Sequence, residues 1–521
     1  MNLGGNGADS DEGAAADSVD SVDSGRTDSG EGQADVSTED GGTPSSSSPD
    51  AARPSWWNPI DRFETGGRRF LAGVRFPVAV WGVWRVVHFV ITYLQVGPVS
   101  RPLIEALNTT FNYDGERYMT IMHQGYANAN TMMPNTAFFP MVSWLASPIW
   151  WLTRSEGWTA HIVASLTAIA AFTMVWAVTR EWRNEFVARR AVLLLACMPS
   201  SLYLWAFYSE GLFMALGAGA VVADRRNKHW LAAALFAPLA ATRSVGILIP
   251  AVIILARIIR HRRLDRWCAL YVAGASLGLA AVLVVMWKQV GDPLAWTKVQ
   301  GDWGRNLSWP WATVNQGIDN LYPTPKTIMI PALVARNFDI WSLGIVGVPL
   351  FASMGTSAWA RNEGRRMWVL GWSCVLAPLY IAGIVALSRF DIVGPAVRLS
   401  VPATKHVMTL PYLYLGIFFA MVAVLWVLQP LIPRLALRNE GWPMETWMLG
   451  WVLIALPLSS TALASFNRFA LANWMLYPIG AGLLTRVPRK VRWIGYVVFG
   501  VAGLWVTYLM VGRFAANRFV G

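Results

Sequence analysis

Phe111-Asn112-Tyr113-Asp114-Gly115-Glu116-Arg117-Tyr118 is a polar, carboxylate-bearing stretch that follows closely on an apolar run over residues 76 to 97. An apolar run of that length can cross a bilayer, for which about 20 residues suffice. The stretch therefore reads as part of the first loop of a polytopic membrane protein, just beyond its first span. Asp114 precedes Gly115, a pair that predicts a sharp turn, and no other acidic cluster in the first half of the chain lies so close to the membrane. On residues alone Asp114 has two open readings: an ordinary Asp-Gly turn, or a catalytic carboxylate. Glu116 is likewise open between a surface charge beside Arg117 and a second polar contact.

Composition supports the membrane reading. Of 521 residues 55% are hydrophobic and 14% charged, and the mean hydropathy is +0.39, too apolar for a soluble globular chain. The net charge of +12 conceals a split, because residues 1 to 55 hold twelve acidic side chains against Arg26 and Arg53. That tail is rich in Ser, Asp, Gly and Ala, which predicts disorder, and without an apolar core it is not a cleavable signal. The basic excess belongs to loops, with no nucleic-acid signature. Cys197, Cys268 and Cys374 are too widely spaced for a disulfide framework or a metal site and read as small core residues. Many of the 29 Trp flank apolar runs, where interfacial rings belong.

Basic clusters assign sides. Arg62, Arg68, Arg69 and Arg75 put the N-terminus in the cytoplasm, and the first span, which carries Arg85 and His88, exits outward. Either residue reads as snorkelling or a helix–helix contact as readily as a functional group. Residues 98 to 136 form the first outer loop. The apolar piece 137 to 152 is about 16 residues, or ~24 Å, against a ~30 Å hydrocarbon core, and reads as re-entrant or short. Spans follow near 158–179, 188–203 and 211–223. Residues 231 to 256 lie between two basic groups, so they read as two short helices breaking at Ala241-Thr242-Arg243-Ser244, which lifts Arg243 toward the outer side. Further spans near 268–288, 338–359, 367–388, 407–429, 445–463, 469–485 and 494–513 bring the expectation to about eleven, plus two partial elements. The domain plan is the tail, 1–55, and a transmembrane domain, 56–521. Asp114, Tyr208-Ser209-Glu210, the 298 to 305 group with Gln300 and Trp303, Arg398, Lys405, His406 and Arg468 all fall outside by this parity.

One or two carboxylates and several cations, with no nucleotide-binding loop and no Cys/His metal spacing, suit an anionic lipid-linked substrate. A carboxylate such as Asp114 can serve as general base on a hydroxyl, and Arg243, Arg398, Lys405 or Arg468 can hold a departing phosphate. A phosphate leaves unprotonated, so paired carboxylates are not demanded. Bland readings stand beside these: Ser209 and Glu210 as a helix N-cap and a dipole-favoured acid, and Arg398, Lys405 and His406 as solvated charges. A transporter or flippase of a lipid-linked sugar would also want broken helices and an outward cationic cavity, although the chain shows no paired halves.

The order of these islands resembles the GPI mannosyltransferase 2 (PIG-V-like) family of GT-C membrane glycosyltransferases. Tyr113-Asp114-Gly115 with Tyr118 and Gly125-Tyr126 is similar to its first-loop motif, Ala137-Phe138-Phe139-Pro140 to its Ala-Phe-Phe-Pro element, and Tyr208-Ser209-Glu210 and Ala241-Thr242-Arg243-Ser244 to its Tyr-Ser-Glu and Thr-Arg-Ser motifs. Gly291-Asp292-Pro293 through Trp303, and Arg468-Phe469, fit more loosely. Tyr113 stands where the family usually has Trp, and Met141-Val142-Ser143 where it often has Leu-Tyr-Pro. The resemblance implies an all-α GT-C-like fold and inverting transfer of mannose from polyprenyl-phosphate mannose to a lipid-linked acceptor on the non-cytoplasmic face. Asp114 would be the base; Glu116, Arg117, Tyr118, Tyr208, Ser209, Glu210, Arg243, Gln300, Trp303, Lys405, His406 and Arg468 would contact substrate. A monophosphate donor implies no obvious need for a divalent metal, and no other cofactor is expected. The Arg-, Ala-, Trp- and Gly-rich composition reads as a high-GC bacterium, with the protein in the plasma membrane and the acceptor a phosphatidylinositol mannoside or other envelope glycan. Transfer of another polyprenyl-phosphate sugar is the near alternative.

Overall fold

A computed structural model describes residues 59–96, 102–126, 134–302, 305, 313, 338–339, 342–347, 349–350, 443–460, 463, 465–486 and 489–516. The expected tail, Trp303, Arg398, Lys405, His406, the spans near 367–388 and 407–429 and most of that near 338–359 lie outside the described residues. All regular structure among them is helical: α1 (Pro59–Val96), α2 (Pro102–Asn108), α3 (Asp114–Gln124), α4 (Met141–Thr153), α5 (Glu156–Trp182), α6 (Glu185–Cys197), α7 (Leu202–Trp205), α8 (Glu210–Arg225), α9 (His229–Ala240), α10 (Leu248–His261), α11 (Arg266–Val290), α12 (Ala295–Lys298), α13 (Met444–Leu458), α14 (Phe466–Ala472), α15 (Leu476–Arg486) and α16 (Arg489–Ala515). Residues Glu64–Gly521 form one compact unit, and the packing below lies within it.

The protein is an all-α integral membrane protein. Among the described residues four helices are long and apolar enough to cross a bilayer, Gly73–Val96, Glu156–Trp182, Arg266–Val290 and Arg492–Ala515. Their packing differs: 61% of the apolar window of α5 is buried, against 22%, 28% and 22% for α1, α11 and α16. A helix apolar on every side belongs either inside a bundle or against lipid. Thus α5 is the central post, and the peripheral helices turn side chains such as Val497, Val501 and Trp505 outward.

Several expected spans are broken. The span expected over 188–203 ends at Cys197; Pro199 has no N–H to continue the ladder, and the chain resumes as Pro199–Trp205 at an angle of 78°. Residues 469–485 divide between α14 and α15. The loop expected over 98–136 contains α2 and α3 among its described residues, while α4 is the short element expected. The expected break at 241–244 is present between α9 and the 3-10 turn Ser244–Ile247 that leads into α10.

This hairpin returns to its starting level. His229 Nδ1 at the head of α9 and Arg257 Nη1 near the foot of α10 both approach Asp224 Oδ1, at 3.4 Å and 2.8 Å. At the hairpin's turn, Arg243 reaches Glu210 at the opposite end of α8. The arm α9 is held close by α11, because Gly274 and Gly278 lie where a Cβ would come within 2.3 Å and 1.9 Å of the carbonyl oxygens of Ala233 and Ala237. Small residues four apart let two backbones touch in an apolar solvent.

Candidate active site

Three helices begin at one point. Asp114 is the first residue of α3, Glu210 the first of α8, and Arg468 the third of α14. Arg468 joins the two acids: its Nε donates to Glu210 Oε1 at 2.8 Å and its Nη1 to Asp114 Oδ2. Arg243 Nη1 donates to the same Glu210 Oε1 at 2.6 Å and reaches Ser209 Oγ at 3.5 Å. Helix N-termini present unpaired N–H groups and a positive dipole end, so the three starts favour negative charge at their meeting point.

Local chain geometry explains the aim. The expected Asp-Gly turn is displaced by one residue: Asn112-Tyr113 makes it, and Tyr113 takes φ 57° and ψ −114°, a left-handed value uncommon for a bulky residue. Gly115 serves packing instead, since a Cβ there would stand 3.2 Å from Phe111 Cβ and 3.5 Å from the Phe207 carbonyl oxygen. The Tyr208 hydroxyl lies 3.3 Å from both the Asp114 N–H, which donates to it, and the Asn112 carbonyl, to which it donates. Ser465, before α14, is also left-handed at φ 68° and provides no side-chain cap. Asp339 caps that helix from afar, accepting the N–H groups of Ser465 at 3.0 Å and Asn467 at 2.7 Å. Backbone strain of this kind persists only where surroundings enforce it. Here it directly precedes the helices that carry Asp114 and Arg468.

The cluster is buried and unevenly filled. Glu210 is 0% exposed and Arg468 9%, so the charges owe little to solvent and much to one another; removing one partner of such a pair leaves a bare buried charge. Among the described residues two carboxylate oxygens remain uncommitted. Glu210 Oε2 is buried with no hydrogen-bond partner, and Asp114 uses Oδ2 for Arg468 while its side chain keeps 19% exposure. The guanidinium of Arg468 lies 4.5 Å from the ring centre of Tyr208, while Arg243 and Arg305 sit 5.0 Å and 5.7 Å from that of Phe469. Arg305, in the loop after α12, has no carboxylate partner among the described residues. Burial first, then neighbouring Arg468, pushes its guanidinium down to about 10. Three guanidinium groups thus meet at the cluster, and among the described residues only those of Arg243 and Arg468 bind a carboxylate.

The other expected residues divide. Tyr118 is buried beneath the cluster among Phe138 and Phe207, with its hydroxyl bonded to Ser209 and pushed by burial up to about 12. Ser209 occupies the N-cap position of α8 without a side-chain cap. Glu116 is exposed and outside the cluster, and Arg117 turns to Asn135 Oδ1 at 3.2 Å. Gln300 donates to the Trp296 carbonyl at 3.0 Å, and Lys298 pairs with Asp292. Gly125-Tyr126 and Ala137–Pro140 are fasteners: Tyr126 bonds through its N–H to Gln289 Oε1 and through its hydroxyl to the Phe138 carbonyl, and Met141 N–H donates to Ala241 next to Arg243. Arg85 and His88 in α1 are both structural, Arg85 donating to the carbonyls of Trp205 and His161 and His88 approaching Ser201. Arg305 belongs to the 298 to 305 group that loop charge places outside, whereas Asp339 lies beyond what the motifs indicate. The signal for Asp339 was an acid opening an apolar run, as at Glu210. Among the described residues no three His, Cys, Asp or Glu side chains converge as metal ligands.

No family model matches the chain. A sequence relative does: over 142 residues, 26% of this chain and 40% of the relative, it is 28% identical to GPI mannosyltransferase 2 of Yarrowia lipolytica. The chain is similar to a mannosyltransferase. That relative bears the name of the family its motifs resemble, and the matched segment spans well under half of the relative's length. Among solved structures, the oligosaccharyltransferase of Archaeoglobus fulgidus aligns with a TM-score of 0.39 at 13% identity, over 85% of this chain and 56% of that one. ArnT from Cupriavidus metallidurans bound to undecaprenyl phosphate aligns with a TM-score of 0.37 at 15% identity, over 84% and 77%.

Proposed function

We infer that the protein is a GT-C-type membrane glycosyltransferase that moves mannose from polyprenyl-phosphate mannose to a hydroxyl of a lipid-linked, phosphatidylinositol- or glycan-type acceptor. The observation that carries this reading is the joining of Asp114, Glu210, Arg243 and Arg468, four residues from separate motifs, in one buried cluster with a carboxylate oxygen that has no partner among the described residues and with Arg305 beside it. The Yarrowia relative supports the sugar.

In this reading Asp114 Oδ1 takes the proton of the acceptor hydroxyl as its oxygen bonds to the sugar C1. The C1–O bond to phosphate breaks on the opposite face, inverting that carbon, and the phosphate departs with the electron pair. Arg243 and Arg305 meet its growing charge in a site with little water, where such stabilisation is strongest. Arg468 holds Asp114 in place, and Glu210 anchors Arg243 and Arg468 from beneath. Guanidinium groups supply the positive charge, so no divalent ion is required. The cluster faces the non-cytoplasmic side of a bacterial plasma membrane, with the N-terminus in the cytoplasm, as the basic loops predict.

The test supplies membranes with labelled polyprenyl-phosphate mannose in the presence of EDTA. Wild-type membranes transfer label, and Asp114→Asn, accumulating normally, loses it by the ~10²–10⁴-fold that a positioned base provides. Undiminished transfer by the variant removes Asp114 from the chemistry. For sidedness, Glu116→Cys on the exposed face of α3 reacts with a membrane-impermeant thiol reagent from outside intact cells; labelling confined to inverted vesicles reverses the orientation.

A further inference from the structure

The opposite end of α8 carries a second charged site, which the transfer reaction does not use. α8 is 16 residues long, so its C-terminal end lies about 24 Å from Glu210 at 1.5 Å per residue. There a cavity of about 590 Å³ opens, lined by Arg225, Arg257, Arg263, Arg266, His229 and Trp267 among others. Its acids are committed. Asp224 takes Arg257 Nη1 at 2.8 Å and the Tyr271 hydroxyl, and Asp265 takes Arg257 Nη2 and the Cys268 N–H. Arg225 is committed to Glu445 at 2.8 Å.

What remains is cationic. Arg263 and Arg266 are exposed and have no carboxylate partner among the described residues; Arg266 rests only on the Trp267 ring, 4.6 Å from its centre. Beside this mouth stand two large apolar side chains facing outward, Trp230 at 71% exposure and Leu264 at 74%. In a membrane protein, an arginine pair edged by an exposed tryptophan and leucine marks headgroup depth: the rings enter the interface while the cations meet phosphates. Basic pockets between helices on the cytoplasmic side take anionic headgroups in this way. A soluble anion would explain the arginines but not the apolar edge.

We propose that the cavity between the C-terminal end of α8, the foot of α10 and the start of α11 binds the phosphate of an anionic phospholipid headgroup, with Arg263 and Arg266 as its ligands. Arg257, locked between Asp224 and Asp265, forms the floor.

The full chain is purified in a zwitterionic detergent, exchanged into nanodiscs of phosphatidylcholine with or without phosphatidylglycerol, and examined by native mass spectrometry and thermal unfolding. Phosphatidylglycerol is retained saturably and raises the unfolding midpoint. Arg263→Gln with Arg266→Gln weakens that binding by roughly thirtyfold, as two guanidinium contacts at an anionic surface warrant, and Arg263→Lys with Arg266→Lys restores most of it. Both side chains are exposed and have no carboxylate partner among the described residues, so folding is not at stake. Arg189→Gln with Arg190→Gln, on α6 at the same end, leaves binding intact. No retained phosphatidylglycerol, or equal weakening by the α6 variant, overturns the proposal. Inorganic phosphate reproducing the full stabilisation in detergent, with no lipid retained, assigns the cavity to a free phosphate and overturns the lipid.

Discussion

The two ends of α8 carry buried or half-buried acids bridged by arginine, and they are completed differently. At the C-terminal end, Asp224 and Asp265 meet Arg257 within a sequence separation of 33 and 8 residues, and Asp224 also receives Tyr271 and His229. At the N-terminal end, Glu210 and Asp114 meet Arg468 across 258 and 354 residues; among the described residues one Glu210 oxygen is left over, and Arg305 stands without a carboxylate. A fully occupied acid behaves as a strut. An acid left half-occupied in a dry site is costly to retain, and that cost has a reason where substrate supplies the missing partner.

Three substitutions press on that contrast beyond Asp114→Asn. The largest effect is expected from Arg468→Lys. An ammonium is a point charge without the planar fork that here reaches two carboxylates at once, so kcat should fall by about 100-fold, near the loss of one transition-state donor. An unchanged kcat would mean that the bridge is only a strut. Asp339→Asn comes next. It weakens the remote cap of α14 and lets Arg468 drift, and a modest misplacement costs roughly 10-fold in rate, with the unfolding midpoint lowered slightly. Retention of full rate at a lowered midpoint would limit Asp339 to stability. The smallest change in rate is expected from Tyr271→Phe at the other end, which removes one donor to Asp224, costs about 1 kcal/mol in denaturant unfolding and leaves kcat alone. A rate loss there comparable to that of Arg468→Lys would erase the distinction between the ends.

The sequence carried much of this plan because the bilayer constrains it strongly. Spans such as α5 and α11 were legible from apolar length, and the hairpin at Arg243 from basic groups on both flanks, since a chain with both ends on one side must turn back. The breaks at Met198 and at Asn473 were less so. Both lie inside apolar runs, and hydropathy registers how apolar a run is rather than whether its ladder of hydrogen bonds continues. Tyr113 shows the same limit: Asp-Gly signalled a turn, but packing against Phe111 and Phe207 placed it one residue earlier.

The sequence by itself therefore determined that the chain lies in a membrane and which residues are polar within it, and its loop charge predicts which islands share a side. Only the tertiary structure decided which of those islands touch. It selected Arg468 and Arg243 as the partners of the acids, left Glu116, Arg117 and Gln300 outside the cluster, and brought in Asp339 and Arg305. The physical reason is range. Hydropathy and charge bias act through the solvent on each segment separately, whereas hydrogen bonds of 2.6 Å and 2.8 Å from Arg243 and Arg468 to one Glu210 oxygen depend on the starts of α8 and α14 and the turn after α9 arriving together, which no single segment encodes.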